Sequence, residues 1–593
     1  MKTNRREFVR AMAACAAVAA CPGFAYATDG ASSSKPNVIL IMTDDQGYGD
    51  LSCLGNKVIK TDAMDKLHSE SVRLTNYHVC PTCSPSRSAL LTGRNNNRVG
   101  VWHTICGRTQ LRKDEVTMAD VFGDSGYKTG IFGKWHLGDN YPFRPQDRGF
   151  QEVLIHGGGG VTQTADYWNN DYFDDTYFHN GKPEKRKGYC TDVWFEGATE
   201  FIDANKDKPF FAYITPNAPH EPYLIDPKYI KMYKGKNNVA NANYYGMITN
   251  IDENIAKLRK HLEDLGIADN TVFIFTTDNG TSVGYGFNAG MRGRKGSEYD
   301  GGHRVPMFIH YPDGKLTEPK DIDRITAHVD ILPTLVELCD LTETKKVEYD
   351  GKSLVPLIYG KGAGWGDRAI VTDSQRVAHP IKWRKSAVMT DRWRLVNGKE
   401  LYDMKADAGQ KKNIAKEHPE VKQKLIGEYD KWWASVSEKF GEYTRTIIGS
   451  EHENPVTITT MDWLQLSAWN QNIVRSGKML NGKWMIDVAE SGKYRFELRR
   501  YPIESGLGIT AVAPAGDVLP GGGVYYKPGK SLKISDARLK VGNADVTKPV
   551  GKDAEGVSFE VKLNRGHAEM QTWFMGEGIK KSLGAYYVYV KKL

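Results

Sequence analysis

The sequence predicts an α/β protein with a mixed, mostly parallel central sheet flanked by helices, followed by a small α+β C-terminal subdomain and an appended all-β region. Three observations carry that expectation. Apolar runs such as Val38 to Met42 and Val272 to Phe275 are unbroken but too short for helices, as in strands buried on both faces. A helical repeat from Tyr244 to Leu265 places Ile248, Ile251, Ile255, Leu258, Leu262 and Leu265 at spacings of three and four. Beyond about Tyr443 the chain breaks into short candidate strands, some separated by turns such as Asn481-Gly482 and Ser491-Gly492.

With 593 residues, 40% hydrophobic and 26% charged, the chain is too long for one ordinary core and has the composition of a soluble globular protein. Lys2, Arg5, Arg6 and Arg10, an apolar stretch from Ala11 to Ala20 and an Ala25-Tyr26-Ala27 site read as a signal peptide over residues 1–27. Export to the periplasm or the exterior is expected, without a transmembrane span. Arg5-Arg6-Glu7-Phe8 looks like a twin-arginine motif, and Val18-Ala19-Ala20-Cys21 resembles a lipoprotein cleavage box that would lipidate Cys21. Losing the leader, with its four cations and Glu7, takes the formal charge from +8 to +5. No dense Lys/Arg run accompanies that mild excess, which argues against nucleic acid as a partner. The six remaining cysteines, Cys53, Cys80, Cys83, Cys106, Cys190 and Cys339, are too scattered to imply a disulfide scaffold.

The expected domains are 35–385 for the α/β part, 386–442 for the small subdomain and 443–593 for the β-rich region. In the α/β part, strand ends lead to reactive side chains. Val38 to Met42 leads to Asp44 and Asp45, and Tyr127 to Phe132 to Lys134 and His136; Phe210 to Ile214 leads to His220, and Val272 to Phe275 to Asp278 and Asn279. Ligands bind beyond the carboxyl ends of strands in such sheets, so these clusters should meet in one cleft. Asp44 and Asp45 repel each other unless a cation intervenes. Either pair alone would be read as a cap or a turn; together at strand ends they favour calcium.

Ala387 to Met389, Trp393 to Val396 and Glu400 to Asp403, with a helix near Glu417 to Trp433, make up the small subdomain. The tail's candidate strands are Trp484 to Val488, Tyr494 to Arg500, Leu532 to Ile534, Val557 to Leu563, Glu569 to Phe574 and Tyr586 to Val590, which read as a sandwich.

Cys80-Pro-Thr-Cys83-Ser-Pro-Ser-Arg87 is the most specific stretch. Pro85 and the helical run Ser86 to Thr92, stopped by Gly93, place Cys83 at a helix N-terminus, an anion-binding position. That position and Arg87 should lower the thiol's pKa. A zinc half-site or redox pair would also use Cys80 and Cys83, but no second CxxC follows and neither needs Pro85 or Arg87.

Cys83-Ser84-Pro85-Ser86-Arg87, continued by Ser88 to Arg94, resembles the signature of the type I sulfatase family, arylsulfatase-like members of the alkaline phosphatase superfamily. The resemblance covers roughly Lys35 to Phe440. It includes Ile41-Met42-Thr43-Asp44-Asp45-Gln46-Gly47, Gly133-Lys134-Trp135-His136-Leu137-Gly138, Pro219-His220-Glu221-Pro222, Thr277-Asp278-Asn279-Gly280 and Gly293-Arg294-Lys295-Gly296. It implies an alkaline-phosphatase-like fold and a Cys83 converted to formylglycine by a maturation enzyme. One calcium ion would be held by Asp44, Asp45, residue 83, Asp278 and Asn279. The hydrated aldehyde would attack sulfur while the ion, Arg87, Lys134 and Lys295 balance charge. His220 or Lys295 would protonate the leaving alcohol, and His136 would remove a proton to expel sulfate. Oxygen ligands suit calcium or magnesium better than zinc.

The expected activity is hydrolysis of sulfate monoesters, with sulfated carbohydrates as the expected substrates. A phosphomonoester or phosphonate ester hydrolase of the same superfamily is the enzymatic alternative, and a non-catalytic sulfated-glycan binder the other. The glycine- and aromatic-rich segment between His156 and Trp194 is a candidate substrate rim or a self-packed loop. Trp463, Trp469 and Trp484 are candidates for a sugar site or for a core. Glu298, Asp300, His303 and Arg304 are further substrate candidates, in a segment that departs from the family's Trp-Glu-Gly-Gly wording.

Overall fold

Strand Asn37–Thr43 is buried along its whole length, and it can satisfy its backbone only by pairing on both sides. It does so with parallel partners, Phe210–Thr215 and Thr271–Thr277. In this computed structural model, which describes residues 35–593 except 285, 363 and 364, these three lie inside a ten-stranded sheet. The parallel set extends through Lys128–Gly133 to Glu152–Ile155. On the other side, Met307–His310 runs antiparallel to Thr271–Thr277 and to Val72–Leu74, so the sheet is mixed as expected. The signal peptide, the twin-arginine motif and Cys21 lie outside the described residues.

Helices cover both faces. Ala242–Asp264 starts from Asn241, whose side chain accepts from the backbone N–H of Asn243 and Tyr244, and buries Ile248, Ile251, Ile255, Leu258 and Leu262. Cys83–Thr92 ends on Gly93, which takes a left-handed conformation (φ 64°). No helix among the described residues is long and apolar enough to cross a membrane, and all six described cysteines are free.

The small antiparallel sheet contains Ser386–Met389, Trp393–Val396 and Glu400–Asp403, with Pro419–Ser437 packed on it. It also contains Ile370–Asp373, paired with Ser386–Met389, so the sheet begins ahead of residue 386. Ile370–Asp373 has only four residues and no alternating pattern, which left it unread.

The tail is two facing sheets. One orders Thr446–Ile448, Lys483–Val488, Gly566–Met575, Asp536–Val541 and Ala544–Pro549; the other orders Val456–Thr459, Tyr587–Lys592, Gly492–Arg499 and Gly556–Leu563. Leu532 to Ile534 is not a strand; the strand starts at Asp536, where every second side chain turns inward. Trp463 and Trp484 are fully buried in the sandwich core with rings 5.4 Å apart, so neither lines a sugar site. Trp484 Nε1 donates to Thr459 O at 2.7 Å, satisfying its one polar atom inside the core.

The segment expected as a rim or self-packed loop does a third thing: it docks the tail. Trp168 belongs to the sandwich's core cluster. Gln471, fully buried, receives the N–H of Asn169 at 2.9 Å and donates to the carbonyls of Tyr167 at 3.0 Å and Gln163 at 3.3 Å. Its own N–H donates to Thr162 O at 3.1 Å. The loop's unpaired backbone thus finds its partners in the tail.

Candidate active site

The site assembles at the carboxyl ends of the parallel strands. Asp44 and Asp45 follow Asn37–Thr43; Lys134 and His136 follow Lys128–Gly133; His220 lies beyond Phe210–Thr215; Asp278 and Asn279 follow Thr271–Thr277. Cys83 is the first residue of helix Cys83–Thr92, and the ligand atoms of Asp44, Asp45, Cys83 and Asp278 all lie within 4.8 Å of one another. Lys295 comes from the loop after the last of these strands, with its N–H on Thr281 O. All ten sequence-predicted site residues are therefore brought to one place.

Three carboxylates face three cations there. Lys134 Nζ lies 2.6 Å from Asp44 Oδ2, both side chains fully buried. Arg87 holds Asp278 Oδ2 through Nε at 3.1 Å and Nη2 at 2.8 Å, and its Nη1 reaches Thr215 Oγ1 and Lys134 O. Lys295 Nζ lies 2.7 Å from Asp45, beside Asn279 Nδ2, which donates to Asp45 Oδ1 at 2.9 Å. Although burial opposes it, the charge of Lys295 and the hydrogen bonds from Lys295 and Asn279 hold Asp45 well below the usual carboxylate range. Burial and the neighbouring Asp44 push Asp278 up to about 6 even against Arg87.

Two buried acceptors in this cluster, Asp44 Oδ1 and Asn279 Oδ1, have no hydrogen-bond partner. Orphaned acceptors beside three carboxylates are what a hard divalent cation satisfies, so the donor set fits such an ion. It would also remove the repulsion that raises Asp278.

The expectation of a lowered thiol pKa at Cys83 is not met. Burial pushes the thiol up to about 12, and the carboxylates of Asp44 and Asp278 offset the help from Lys134 and Lys295. The helix N-terminus does not outweigh a desolvated site already holding three carboxylates. Burial therefore disfavours Cys83 as a free thiolate nucleophile.

Asp45 and His136 both have left-handed backbones, φ 69° and 63°, a conformation that non-glycine residues avoid. His136 is over-determined. Its Nε2 lies 2.8 Å from Thr104 O, and Gly159 lies flat on the ring, where a Cβ would sit 2.3 Å from Cε1. A carbonyl only accepts, so Nε2 carries the proton and Nδ1 presents a bare lone pair, buried and unpartnered. In His220, Nδ1 is the protonated atom, 2.6 Å from Glu221 O, and Nε2 lies 3.7 Å from Asp45 Oδ2. Burial and Lys295 pull His220 down to about 4, and burial and Lys134 hold His136 well below its usual value, so both rings are neutral.

Sequence reasoning missed several supports. Tyr244 donates to Asp45 O at 2.8 Å and lies 2.6 Å from Asp50 Oδ2, which also accepts from Gly47 N–H at 2.8 Å. Thr215, Thr104 and Gly159 hold Arg87 and His136, as above. Only Asp50, close behind the Asp44-Asp45 motif, carried any local signal. Asp300 and His303 are not substrate groups: both are fully buried, Asp300 bound by Arg394 at 3.0 Å and His303 Nδ1 2.9 Å from His78 Nδ1. Arg304 donates to Thr75 O. These residues back the Asn279-Gly280 turn, where Gly280 N–H donates to Gly302 O at 3.0 Å.

The sulfatase family profile matches residues 36–341, and a second profile, the C-terminal part of N-sulphoglucosamine sulphohydrolase, matches 294–432. Arylsulfatase J of Mus musculus is 32% identical over 338 residues, 54% of this chain and 55% of that protein, so the match spans about half of that relative's length. N-acetylgalactosamine-6-O-sulfatase of Bacteroides thetaiotaomicron is 28% identical over 67% of this chain and 93% of its own length. Among solved structures, Ps i-CgsB in complex with k-i-k-neocarrahexaose aligns with TM-score 0.63 and 27% identity, over 70% of this chain and 96% of that one. With a profile covering more than half its length and the strand-end cluster inside that span, the chain belongs to the sulfatase family of sulfuric ester hydrolases.

Proposed function

We propose that the protein is an exported sulfatase that removes sulfate from sulfated saccharides, using formylglycine at position 83 and one calcium ion. The observation that carries this reading is residue 83 at a helix N-terminus, facing three carboxylates that three cations neutralise. A divalent ion added to that balanced set leaves an excess positive charge, which suits an anionic ester. Asp44, Asp45, Asp278 and Asn279 would hold calcium, which supplies Lewis acidity toward the sulfuryl oxygens. Formylglycine supplies, as its hydrate, the hydroxyl nucleophile that a thiol at about 12 does not.

The chain's own groups divide the remaining work. Lys134 and Lys295 point ammonium groups into the cluster and balance the sulfuryl charge. Arg87, spent on Asp278, Thr215 and Lys134 O, fixes the carboxylate and the lysine loop. His136 Nδ1 is unpartnered and bare, the state a base toward residue 83 requires. His220 in its neutral tautomer has no proton on Nε2, which favours Lys295 as the acid toward the leaving oxygen.

The saccharide part draws on a relative named as an N-acetylgalactosamine-6-O-sulfatase, on a neighbour solved in complex with k-i-k-neocarrahexaose and on the export reading of residues 1–27. Sulfate release from a panel of defined sulfated saccharides, with mass spectrometry of the residue 83 peptide, tests both parts. Aldehyde at position 83 and sulfate release are expected. Strong turnover of phosphate esters with none of sulfate esters would overturn the sulfatase reading, and an unmodified thiol in active protein would overturn the formylglycine.

A further inference from the structure

The tail does more than dock. From its sandwich a long loop, residues 508–530, runs back toward the α/β part, tied down by two buried arginines. Arg500 donates to Ala511 O and Lys530 O, and Arg475 to Pro514 O. Arg475 also lies over the rings of Trp168 at 4.7 Å and Tyr526 at 4.5 Å, so one guanidinium joins the docking loop to the tail loop. Tyr526 is buried, with its hydroxyl on Asn170 O at 2.7 Å. At Gly521 a Cβ would lie 3.4 Å from Pro227, beside the His220 loop.

Tyr525, between these anchors, is only half-buried. Its side chain lies close to Thr162 and Asn472 and within electrostatic reach of Glu221, the exposed neighbour of His220. It is also near Tyr172, whose hydroxyl donates to His220 O at 3.2 Å. Thr162 is itself buried and held at φ 82°, a position that a β-branched residue does not take without constraint. It belongs to the loop whose Gly159 lies on His136. Tyr525 therefore stands where the loops behind the two catalytic histidines meet, packed against a buried neighbour, Tyr526, whose ring is 4.8 Å away.

We infer that Tyr525 is a specificity-determining residue: the tail closes one side of the active-site mouth and offers this ring to the sugar that leaves when the sulfate ester is cleaved. A tyrosine face suits the apolar face of a pyranose, and its packing on the buried Tyr526 ring restrains it. A small planar leaving group that stays inside the mouth would gain less. The inference rests on the saccharide reading proposed above.

The test measures kcat/KM for one turned-over sulfated saccharide and for a small aryl sulfate in mature wild-type protein, Tyr525→Ala and Tyr525→Phe. In Tyr525→Ala the saccharide-to-aryl ratio should fall about tenfold, mostly through KM, the scale of a lost aromatic contact. Tyr525→Phe, which keeps the ring, should hold the ratio within about threefold. An unchanged ratio in Tyr525→Ala, or an equal fall in Tyr525→Phe, would overturn the role given to the ring. A wild-type enzyme that cleaves aryl sulfates but no saccharide would instead overturn the saccharide reading and this inference with it.

Discussion

Replacing Lys134 by methionine keeps the length of the side chain and removes its charge. Lys134 Nζ is 2.6 Å from Asp44 Oδ2 and neither side chain is exposed, so Asp44 would be left as a buried carboxylate with one partner gone. Breaking a buried pair from one side costs about 3–5 kcal/mol. In a chain of this size each kcal/mol moves the melting temperature by about 1 °C, so Lys134→Met should melt roughly 3–5 °C below wild type in a chelator. Calcium bound to Asp44 would supply the missing positive charge, so the deficit against wild type at equal calcium should shrink, while the about 2.7 kcal/mol added at about 100 times Kd raises both proteins. Activity should not recover with it. The loss of a cation from the sulfuryl site should cost about 10²–10³ in kcat/KM even with calcium saturating. Differential scanning fluorimetry with and without chelator, and sulfate release on the same samples, measure both. Equal melting in the chelator, or kcat/KM within threefold of wild type in calcium, would refute the reasoning.

Three further outcomes are expected. Burial and the neighbouring Asp139 push Asp462 up to about 7; its folded value is raised, so its favourable contribution is full below about pH 4 and lost as pH rises through 7. Asp462→Asn should then exceed wild type by roughly 2–4 kcal/mol at pH 8 and match it at pH 4, measured by urea unfolding, and a pH-independent difference would contradict this. Gln471→Ala leaves the N–H of Asn169 without its partner and takes one of two donors from the carbonyls of Tyr167 and Gln163, so it should cost about 1–3 kcal/mol. Hydrogen exchange should rise in residues 157–170 and stay unchanged in strand Asn37–Thr43. Gly159→Ala would drive a methyl into the His136 ring, 2.3 Å from Cε1; kcat should fall by about 10²-fold with the melting temperature little changed, and an unaffected kcat would remove Gly159 from the positioning of His136.

The strands and helices that carry chemistry were legible because each is written locally. Asn37–Thr43 and Thr271–Thr277 are continuous apolar runs, Ala242–Asp264 keeps its spacing of three and four, and Gly93 marks its helix end. Where local writing was weak the reading drifted. Leu532 to Ile534 is apolar enough to mimic a strand, yet the alternation that buries one face begins at Asp536. Ile370–Asp373 is too short to announce itself and is defined by its partner, Ser386–Met389. Tryptophan content in the tail favoured a core but left a sugar site open; packing assigned Trp463 and Trp484 to the core.

By itself the sequence determined which residues stand at strand ends, because an apolar run followed by Asp44-Asp45 or Asp278-Asn279 is a local pattern, and it determined the order of the motifs that mark the family. The tertiary structure decided what depends on distance and dielectric. The Cys83 thiol, expected to be acidic from its helix, is pushed up to about 12, because burial beside three carboxylates is invisible along the chain. It likewise decided that Asp300 and His303 face inward and that Gln471, far along the chain, holds the loop behind His136. Pair energies depend on separations and solvent exclusion, which exist only once the chain has folded.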